Sequence, residues 1–255
     1  MRNAFDLTGQ VAVITGSSRG IGRSIAETMA AQGARVVVSS RKAEACEEVA
    51  EAIRRAKGQA VVIPCNISRK EEVEALVKDA LKEWGRIDTL VCNAAVNPYF
   101  GPLAGIGDDA FDKIMAANVK SNLWLCNMAI PEMVKTGGGS VVIVSSIGGL
   151  RGSAQLGAYG ISKAADMQLT RSLAVEWGPR NVRINCVAPG LIKTDFARAL
   201  WEDPDRLKRT VATAPLRRIG EPNEIGGIVA FLASPLASFM TGSVIVADGG
   251  VTIGS

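Results

Sequence analysis

The sequence contains no histidine among its 255 residues, so the side chain most often used to transfer protons near neutral pH is absent. Its five cysteines are odd in number and show no Cys-x-x-Cys spacing, which argues against a disulfide framework and a zinc knuckle. No apolar run approaches the roughly 18 residues that a membrane span requires. We therefore expect neither a metal site nor a membrane segment, and any acid–base catalysis must use other side chains.

The charge of the chain is also small, with 29 basic and 25 acidic side chains and a formal net charge of +4. No block of lysine and arginine suggests a surface for nucleic acid. The N-terminal residues lack the apolar core of a secretion signal, and the C-terminal residues are not a peroxisomal tripeptide of the Ser-Lys-Leu type. The expectation is a cytoplasmic protein with reduced cysteines and a small-molecule partner.

Seven short runs of β-branched and aliphatic residues alternate with longer segments of helical pattern. The runs cover residues 10–15, 35–40, 60–64, 87–92, 140–146, 182–189 and 243–248, and helices are predicted over 21–32, 42–57, 70–84 and 121–135. The runs are nearly all apolar rather than alternating, which indicates strands buried on both faces of a parallel sheet. The sequence predicts one α/β domain over residues 1–255, a doubly wound (Rossmann) seven-stranded parallel sheet with helices on both faces. The segment from about 189 to 222 is predicted to be irregular and is a candidate substrate lid.

A glycine-rich segment, TGSSRGIG, directly follows the first predicted strand and opens the first predicted helix. In this context Gly16, Gly20 and Gly22 would permit a tight turn, a close approach to a pyrophosphate and close packing of helix on strand. The helix N-terminus would attract the anion. The segment therefore predicts a dinucleotide site, and the alternative is an ordinary glycine-rich turn.

The end of the second predicted strand bears on the choice between NAD and NADP. An acidic residue there would bond the ribose 2′-hydroxyl and repel a 2′-phosphate. Ser40 and Arg41 hold this place, and Arg19 adds a second cation whose planar guanidinium suits phosphate. We therefore expect NADP(H) as the cofactor; the alternative is that both arginines are solvated surface charges.

Tyr159 and Lys163 are candidates for the missing acid–base groups, because residues four apart on a helix share one face. A unit charge about 4 Å from the phenol, at an effective dielectric of ~20, contributes roughly 4 kcal/mol. Since one pKa unit corresponds to about 1.4 kcal/mol, this electrostatic interaction could lower the tyrosine pKa from ~10 by around three units. We therefore expect Lys163 to bring the phenol close to neutral pH. The alternative is a buried tyrosine near an unrelated surface lysine.

Further motifs follow in order along the chain. They are CNAA at residues 92–95, ANVKSN around Asn118, SS at 145–146, YGISK from Tyr159, APGLIKT from Ala188 and ADGG from Ala247. Together with the glycine-rich segment, these motifs resemble the short-chain dehydrogenase/reductase family over nearly the whole chain. The resemblance implies hydride transfer between a nicotinamide cofactor and a carbonyl or secondary alcohol.

The resemblance also implies the site residues. The catalytic residues would be Asn118, Ser146, Tyr159 and Lys163. Tyr159 would act as general acid or base, and Ser146 would hydrogen-bond the reacting oxygen. Lys163 would lower the pKa of the phenol and bind the nicotinamide ribose, and Asn118 would hold a water. The cofactor set would be Gly16, Ser18, Arg19, Gly20, Ile21, Gly22, Ser40, Arg41, Asn66, Ile67, Asn93, Tyr159, Lys163, Pro189, Gly190, Ile192 and Thr194. Asn66 departs from the aspartate that is usual in the family, and Asn-Ala-Ala replaces the more frequent Asn-Ala-Gly.

Ser146 is preferred to Ser145 as the catalytic serine. It precedes Tyr159 by 13 residues (159 − 146), the spacing of the family's serine, and lies at the carboxyl end of the fifth predicted strand. Ser145 would alternate to the opposite face of an extended strand. The alternative is that both serines only stabilise a turn at the end of the strand, by hydrogen bonds from their hydroxyls to nearby backbone.

Aromatic residues in the predicted pocket segments favour an apolar or aromatic carbonyl substrate, although they could equally fill the core. They are Tyr99, Phe100, Phe196 and Trp201. Within the family the chain looks most like the NADP-dependent carbonyl reductases. The resemblance also implies a homo-oligomer, either a tetramer or a dimer, in which the helices carrying Asn118 and Tyr159 pair between subunits. One alternative is a 3-oxoacyl-[acyl-carrier-protein] reductase, for which Arg180 matches one of two docking arginines and Gly137 the other. A second alternative is a cofactor-binding sensor without catalysis.

Overall fold

Seven parallel strands form one sheet in the computed structural model, which describes residues 5–254. The strands are β1 (Val11–Thr15), β2 (Arg35–Ser39), β3 (Gln59–Val62), β4 (Thr89–Cys92), β5 (Gly139–Val144), β6 (Val182–Pro189) and β7 (Val244–Ala247). Their order is β3-β2-β1-β4-β5-β6-β7, and all neighbours are parallel. The predicted doubly wound α/β fold is confirmed.

Helices cover both faces of this sheet. Those of the described residues are α1 (Gly20–Ala31), α2 (Ala43–Arg55), α3 (Lys70–Trp84), α4 (Asp108–Met115), α5 (Ser121–Lys135), α6 (Gly157–Trp177), α7 (Arg198–Trp201), α8 (Pro204–Thr213) and α9 (Pro222–Ala233). A π-helical turn, Ala116–Lys120, joins α4 to α5. None of the helices between residues 5 and 254 combines the length and apolar character of a bilayer-spanning segment.

The alternation of side chains along each strand divides the interior into two cores. On β1, Ile14 packs into the core shared with α1, α2 and α9, which includes Ile25. Its neighbour Val13 packs into the core on the other face with Leu76 of α3 and Leu125 of α5. Because each strand contributes to both cores, its sequence is apolar at successive positions rather than at every second one.

The winding of the sheet reverses between β1 and β4, which are neighbours although β2 and β3 lie between them in the chain. Ligands of such sheets bind in the crevice outside the carboxyl ends of the strands at this switch point. The loops after β1 and β4 are therefore placed to form a site.

The segment from residue 189 to residue 222 differs from the prediction that it is irregular, because it contains α7 and α8. Pro204 and Pro222 each stand at the first position of a helix, α8 and α9 respectively. Proline is suited to that position because its missing N–H would have no partner in the helix.

Candidate active site

A cavity of ≈ 760 Å³ lies at the switch point, outside the carboxyl ends of β1, β2 and β4. The predicted site residues that line it are Gly16, Ser18, Arg19, Gly20, Ile21, Gly22, Ser40, Arg41, Asn66, Ile67, Asn93, Tyr159, Lys163 and Thr194. Asn118, Ser146, Pro189, Gly190 and Ile192 are predicted site residues outside this lining. The volume lies within the range of small-molecule and cofactor sites, roughly 300–1,000 Å³.

The glycine-rich loop brings backbone, rather than side chains, to the floor of the cavity. Gly16 and Gly20 have φ angles of +67° and +57°, a region that residues with a side chain rarely adopt. A Cβ atom on Gly22 would lie 2.3 Å from the carbonyl oxygen of Gly16, so only glycine lets α1 begin this close to β1. The N-terminus of α1 faces the cavity at Arg19 and Gly20, where amides and helix dipole favour a phosphate. The loop therefore fits the pyrophosphate of a dinucleotide.

Asn93 ties the loop after β4 to the glycine-rich loop. Its Nδ2 donates hydrogen bonds to the carbonyl oxygens of Thr15 (2.9 Å) and Gly16 (3.1 Å). The Oγ1 atom of Thr15 accepts from the backbone amides of Asn93 (3.1 Å) and Ala94 (3.2 Å). The side chain of Asn93 is therefore used to fix the two loops, which is consistent with the prediction that its backbone faces the cofactor.

The edge of the cavity near β2 carries positive charge. Arg19 and Arg41 are exposed and line the cavity with Ser40 and Lys42. Neither Arg19 nor Arg41 forms an ion pair with another described residue. These guanidinium groups fit a second phosphate, since nothing in the described region neutralises them.

The loop after β3 places Asn66 and Ile67 on the cavity wall. The backbone amide of Asn66 donates to Oε2 of Glu72 at 2.7 Å, and its Oδ1 accepts from the backbone amide of Ser68 at 3.2 Å. A carboxamide oxygen has two lone pairs, so this geometry leaves one for the predicted adenine contact.

Tyr159 lies in the first turn of α6, and its ring packs against the ring of Phe196 with centroids 6.2 Å apart. The hydroxyl of Ser146 lies close enough to the phenol to lower its pKa, and it accepts a hydrogen bond from the amide of Gly148 at 3.1 Å. Ser145 points elsewhere, because its Oγ donates to the carbonyl oxygen of Lys163 at 2.7 Å. The structure therefore places Ser146, rather than Ser145, beside the phenol.

Lys163 follows Tyr159 on α6 and is only 2% exposed. Its ammonium group lies 5.7 Å from the centroid of the Tyr159 ring. It donates hydrogen bonds to the carbonyl oxygen of Val144 at 2.9 Å and to Oδ2 of Asp166 at 3.0 Å. The lysine is therefore a buried, ion-paired group rather than a surface charge.

The pKa of Tyr159 is raised above its ordinary value of 10.0, because burial outweighs the lowering by Lys163, and Asp166 raises it further. The expectation that Lys163 brings the phenol close to neutral pH was therefore wrong for this structure. The ammonium of Lys163 lowers the pKa of the phenol, but the phenol is buried and faces the carboxylate of Asp166, and both of these raise it. A phenol that keeps its proton at neutral pH is suited to donate one.

Asn118 lies in the π-helical turn and is fully buried. Its Oδ1 accepts from the amide of Val96 at 2.8 Å, and its Nδ2 donates to the carbonyl of Val96 and to Oγ of Ser162, both at 3.0 Å. The side chain thus holds the loop after β4 against α6. The predicted water-binding role stays a prediction, and it would fall to the backbone of Asn118 because the amide group is already engaged.

The segment after β6 reaches the cavity through Thr194, whose methyl group faces Gly20. Ile192 is 5% exposed and instead lines a second cavity of ≈ 290 Å³. A Cβ on Gly190 would lie 2.7 Å from the Cα of Asp248, so this glycine packs against the chain rather than the site. The predicted nicotinamide contacts of Pro189, Gly190 and Ile192 stay predictions.

Sequence analysis did not single out Asn122 and Asp166, two buried side chains that contact each other beside Lys163. A signal was present in their spacing, because Asp166 is three residues after Lys163 and Asn122 is four residues after Asn118. Such spacings place side chains on one face of a helix.

Comparisons with known proteins agree with this fold. The family model described as "Enoyl-(Acyl carrier protein) reductase" matches residues 16–252. The "Dehydrogenase/reductase SDR family member 4" of Bos taurus is 46% identical over 252 residues, covering 98% of this chain and 88% of the relative. The human "Dehydrogenase/reductase SDR family member 2, mitochondrial" is 41% identical over 246 residues, covering 95% and 86%. The crystal structure of "7 alpha-hydroxysteroid dehydrogenase complexed with NADH and 7-oxo glycochenodeoxycholic acid" matches with a TM-score of 0.94 and 35% identity over 98% of both chains.

The chain belongs to the short-chain dehydrogenase/reductase family. It is an oxidoreductase that acts on carbonyl or alcohol groups with a nicotinamide cofactor. The family resemblance inferred from the motifs is therefore confirmed.

Proposed function

We propose that the protein is an NADP(H)-dependent reductase of ketones on apolar molecules, and that it oxidises the corresponding secondary alcohols in reverse. The observation that supports this most is the position of Tyr159. It lies beside Ser146 and Lys163 and lines the same cavity as the glycine-rich loop.

Each residue of the site has a distinct task in reduction. Bound NADPH supplies the hydride that reduces the carbonyl carbon. Tyr159 donates its phenolic proton to the carbonyl oxygen, and Ser146 donates a hydrogen bond that steadies the developing charge. Lys163 stabilises the phenolate that is left on Tyr159. Because the pKa of Tyr159 is raised, reduction is favoured near neutral pH and alcohol oxidation at alkaline pH.

The cofactor would be held along the cavity from the glycine-rich loop to α6. The loop would bind the pyrophosphate, Asn66 and Ile67 the adenine, and Lys163 the nicotinamide ribose. The similar hydroxysteroid dehydrogenase was solved with NADH, so the comparisons do not decide between the two cofactors. The preference for NADP(H) is supported by the two unpaired arginines and by the absence of an acidic residue directly after β2.

Arg41→Asp tests the cofactor preference. A hydrogen bond to a charged group contributes about 1.5–3 kcal/mol, so we expect the Kd of NADPH to rise about tenfold to 100-fold while that of NADH stays near its original value. Fluorescence titration measures both. Arg55→Asp is the matched control, since Arg55 is exposed at the opposite end of α2. A wild-type protein that turns over NADH as well as NADPH at equal concentrations would refute the preference.

The substrate side of the cavity supports an apolar ketone, because Phe196 lines the cavity and its ring packs against that of Tyr159. Phe196 belongs to the segment 189–222, which also contains α7 and α8. The indole N–H of Trp201 donates to the carbonyl of Thr194 at 2.9 Å, which ties α7 to the cavity wall. We assign this segment as the substrate lid. The similar 7 alpha-hydroxysteroid dehydrogenase was solved in complex with a ketone, 7-oxo glycochenodeoxycholic acid.

Reduction of 3-oxoacyl groups on acyl carrier protein is the second candidate. The matched family model is also described by an acyl-carrier-protein substrate, although its description names the reduction of enoyl groups. Arg180 is exposed and could meet an acidic carrier, whereas the second docking position is occupied by Gly137. Acetoacetyl thioesters of the carrier, assayed beside simple ketones, separate the two functions. Turnover of the carrier thioester alone, weakened by salt, would favour the second candidate.

A homo-oligomer is also proposed, paired through the faces of α5 and α6 that carry the exposed apolar residues Leu123, Ile161 and Val175. Analytical ultracentrifugation tests it, and a monomer at micromolar concentration would contradict it. The cytoplasmic location stays a prediction, since one similar human protein is named as mitochondrial.

A further inference from the structure

A buried polar cluster lies behind Lys163 and connects it to Asn118. Asp166 accepts from the lysine ammonium through Oδ2 at 3.0 Å, and from Nδ2 of Asn122 through Oδ1 at 2.9 Å. The same Nδ2 group donates to the carbonyl oxygen of Asn118 at 2.7 Å. Asn118 and Lys163 are therefore joined by side chains of this chain, in an unbroken series of direct hydrogen bonds.

Burial makes these contacts energetically significant. Lys163 is 2% exposed, Asp166 is fully buried and Asn122 is 2% exposed. An ammonium removed from water without a partner is strongly destabilised, and the usual response is loss of its proton. Burial by itself lowers the pKa of Lys163, but Asp166 and Tyr159 outweigh it and raise the pKa above 10.5.

The other titratable groups around the cluster are thiols. Cys92 on β4 contacts Cys126 on α5, and Cys186 lies on β6. The hydrogen bond with Cys126 and burial raise the pKa of Cys92, and burial raises that of Cys186 to about 12. These two thiols are neutral over the working range of the enzyme. Among the described groups that face Lys163, the carboxylate of Asp166 therefore supplies the negative charge.

We propose that Asp166, oriented by Asn122, is a positioning residue that keeps Lys163 charged and directed towards the Val144 carbonyl and the Tyr159 ring. The inference rests on the proposed function, in which Lys163 acts on the phenol. Asp166 does not line the cavity, so it would contact neither the substrate nor the cofactor. Its charge also moderates the effect of the lysine, since Asp166 opposes the lowering of the Tyr159 pKa.

Asp166→Asn tests the proposal, because it keeps the shape of the side chain and removes its charge. The Lys163 pKa should then fall, so the ammonium is present at low pH and is lost as pH rises through the new pKa. We expect kcat for ketone reduction to fall at least about tenfold between about pH 6.5 and pH 9, while wild type stays level. Asn122→Ala should displace the pH profile of kcat in the same direction by less, because the carboxylate of Asp166 keeps its charge but loses the hydrogen bond that orients it towards Lys163.

Asp88→Asn is the matched control for a merely structural effect. Asp88 is also a buried, ion-paired carboxylate, held by Arg86 at 2.6 Å and by the amide of Val11, but it precedes β4 and so lies at the amino ends of the strands, opposite the cavity. We expect it to lower the Tm and leave the pH profile unchanged. If the pH profiles of kcat for Asp166→Asn and Asn122→Ala superpose on that of the wild type, the proposal is overturned. If wild type reduces no ketone at any pH, the proposed function itself fails.

Discussion

Replacing Gly22 by alanine perturbs the cofactor loop where the structure leaves least room. The added Cβ would lie 2.3 Å from the carbonyl oxygen of Gly16 and 2.5 Å from Nδ2 of Asn93. Neither neighbour is the end of a flexible chain, because the first is backbone and the second is held by two hydrogen bonds. The loop must therefore move away from α1. Such overpacking costs about 1–3 kcal/mol of stability.

Two assays measure the consequence of Gly22→Ala. At about 2–4 °C per kcal/mol for a chain of this size, Tm should fall by about 2–12 °C. The Kd for NADPH should rise at least about tenfold, because the displaced loop no longer fits the pyrophosphate. Thermal unfolding and fluorescence titration give the two numbers.

Gly227→Ala provides the control for Gly22→Ala. Gly227 lies in α9 with nothing within 4 Å of a built Cβ. Alanine there should raise stability by about 0.5–1 kcal/mol and leave NADPH binding unchanged. The reasoning is refuted if Gly22→Ala melts and binds NADPH like the wild type.

Three further predictions follow from charge and burial. In wild type, kcat for reduction should stay level from about pH 6 to about pH 9 and fall only at higher pH, because the proton donor Tyr159 has a raised pKa; an alkaline limb near pH 7 would contradict it. Arg218 lowers the pKa of Glu224 from 4.5 to about 2, so the pair stabilises the fold above pH 4.5 and this contribution is lost as pH falls towards 2. Glu224→Gln should therefore lower the free energy of urea unfolding near pH 7 and have less effect as the pH is lowered; an equal effect at every pH would exclude this linkage. All five cysteines are buried, so the native protein should react with a thiol reagent far more slowly than the unfolded chain, and prompt labelling would show that they are accessible.

The sheet and the cofactor loop could be predicted from the sequence because their signals are local. The runs around Val13 and Val142 are apolar at successive positions, which indicates two buried faces. The glycines at 16, 20 and 22 follow a strand and open a helix. The helices α7 and α8, of 4 and 10 residues, were missed because the whole segment from 189 to about 222 was interpreted as irregular.

The electrostatics of the site required tertiary information. The spacing of Tyr159 and Lys163 predicts their pairing, but not that both lie beside Asp166 or that burial raises the tyrosine pKa. The link from Asn122 on α5 to Asp166 on α6 joins residues 44 positions apart in the chain. Sequence spacing within one helix cannot reveal such a contact.

The most direct measurement is the steady-state rate of NADPH oxidation with an apolar cyclic ketone, for wild type and for Tyr159→Phe. Phenylalanine removes the hydroxyl that donates the proton and keeps the ring that packs on Phe196. The account predicts turnover by wild type, a loss of at least about 100-fold in kcat for the variant, and NADPH binding within about threefold of wild type. A variant that binds NADPH and retains most of the wild-type kcat would contradict the assignment of Tyr159 as the proton donor.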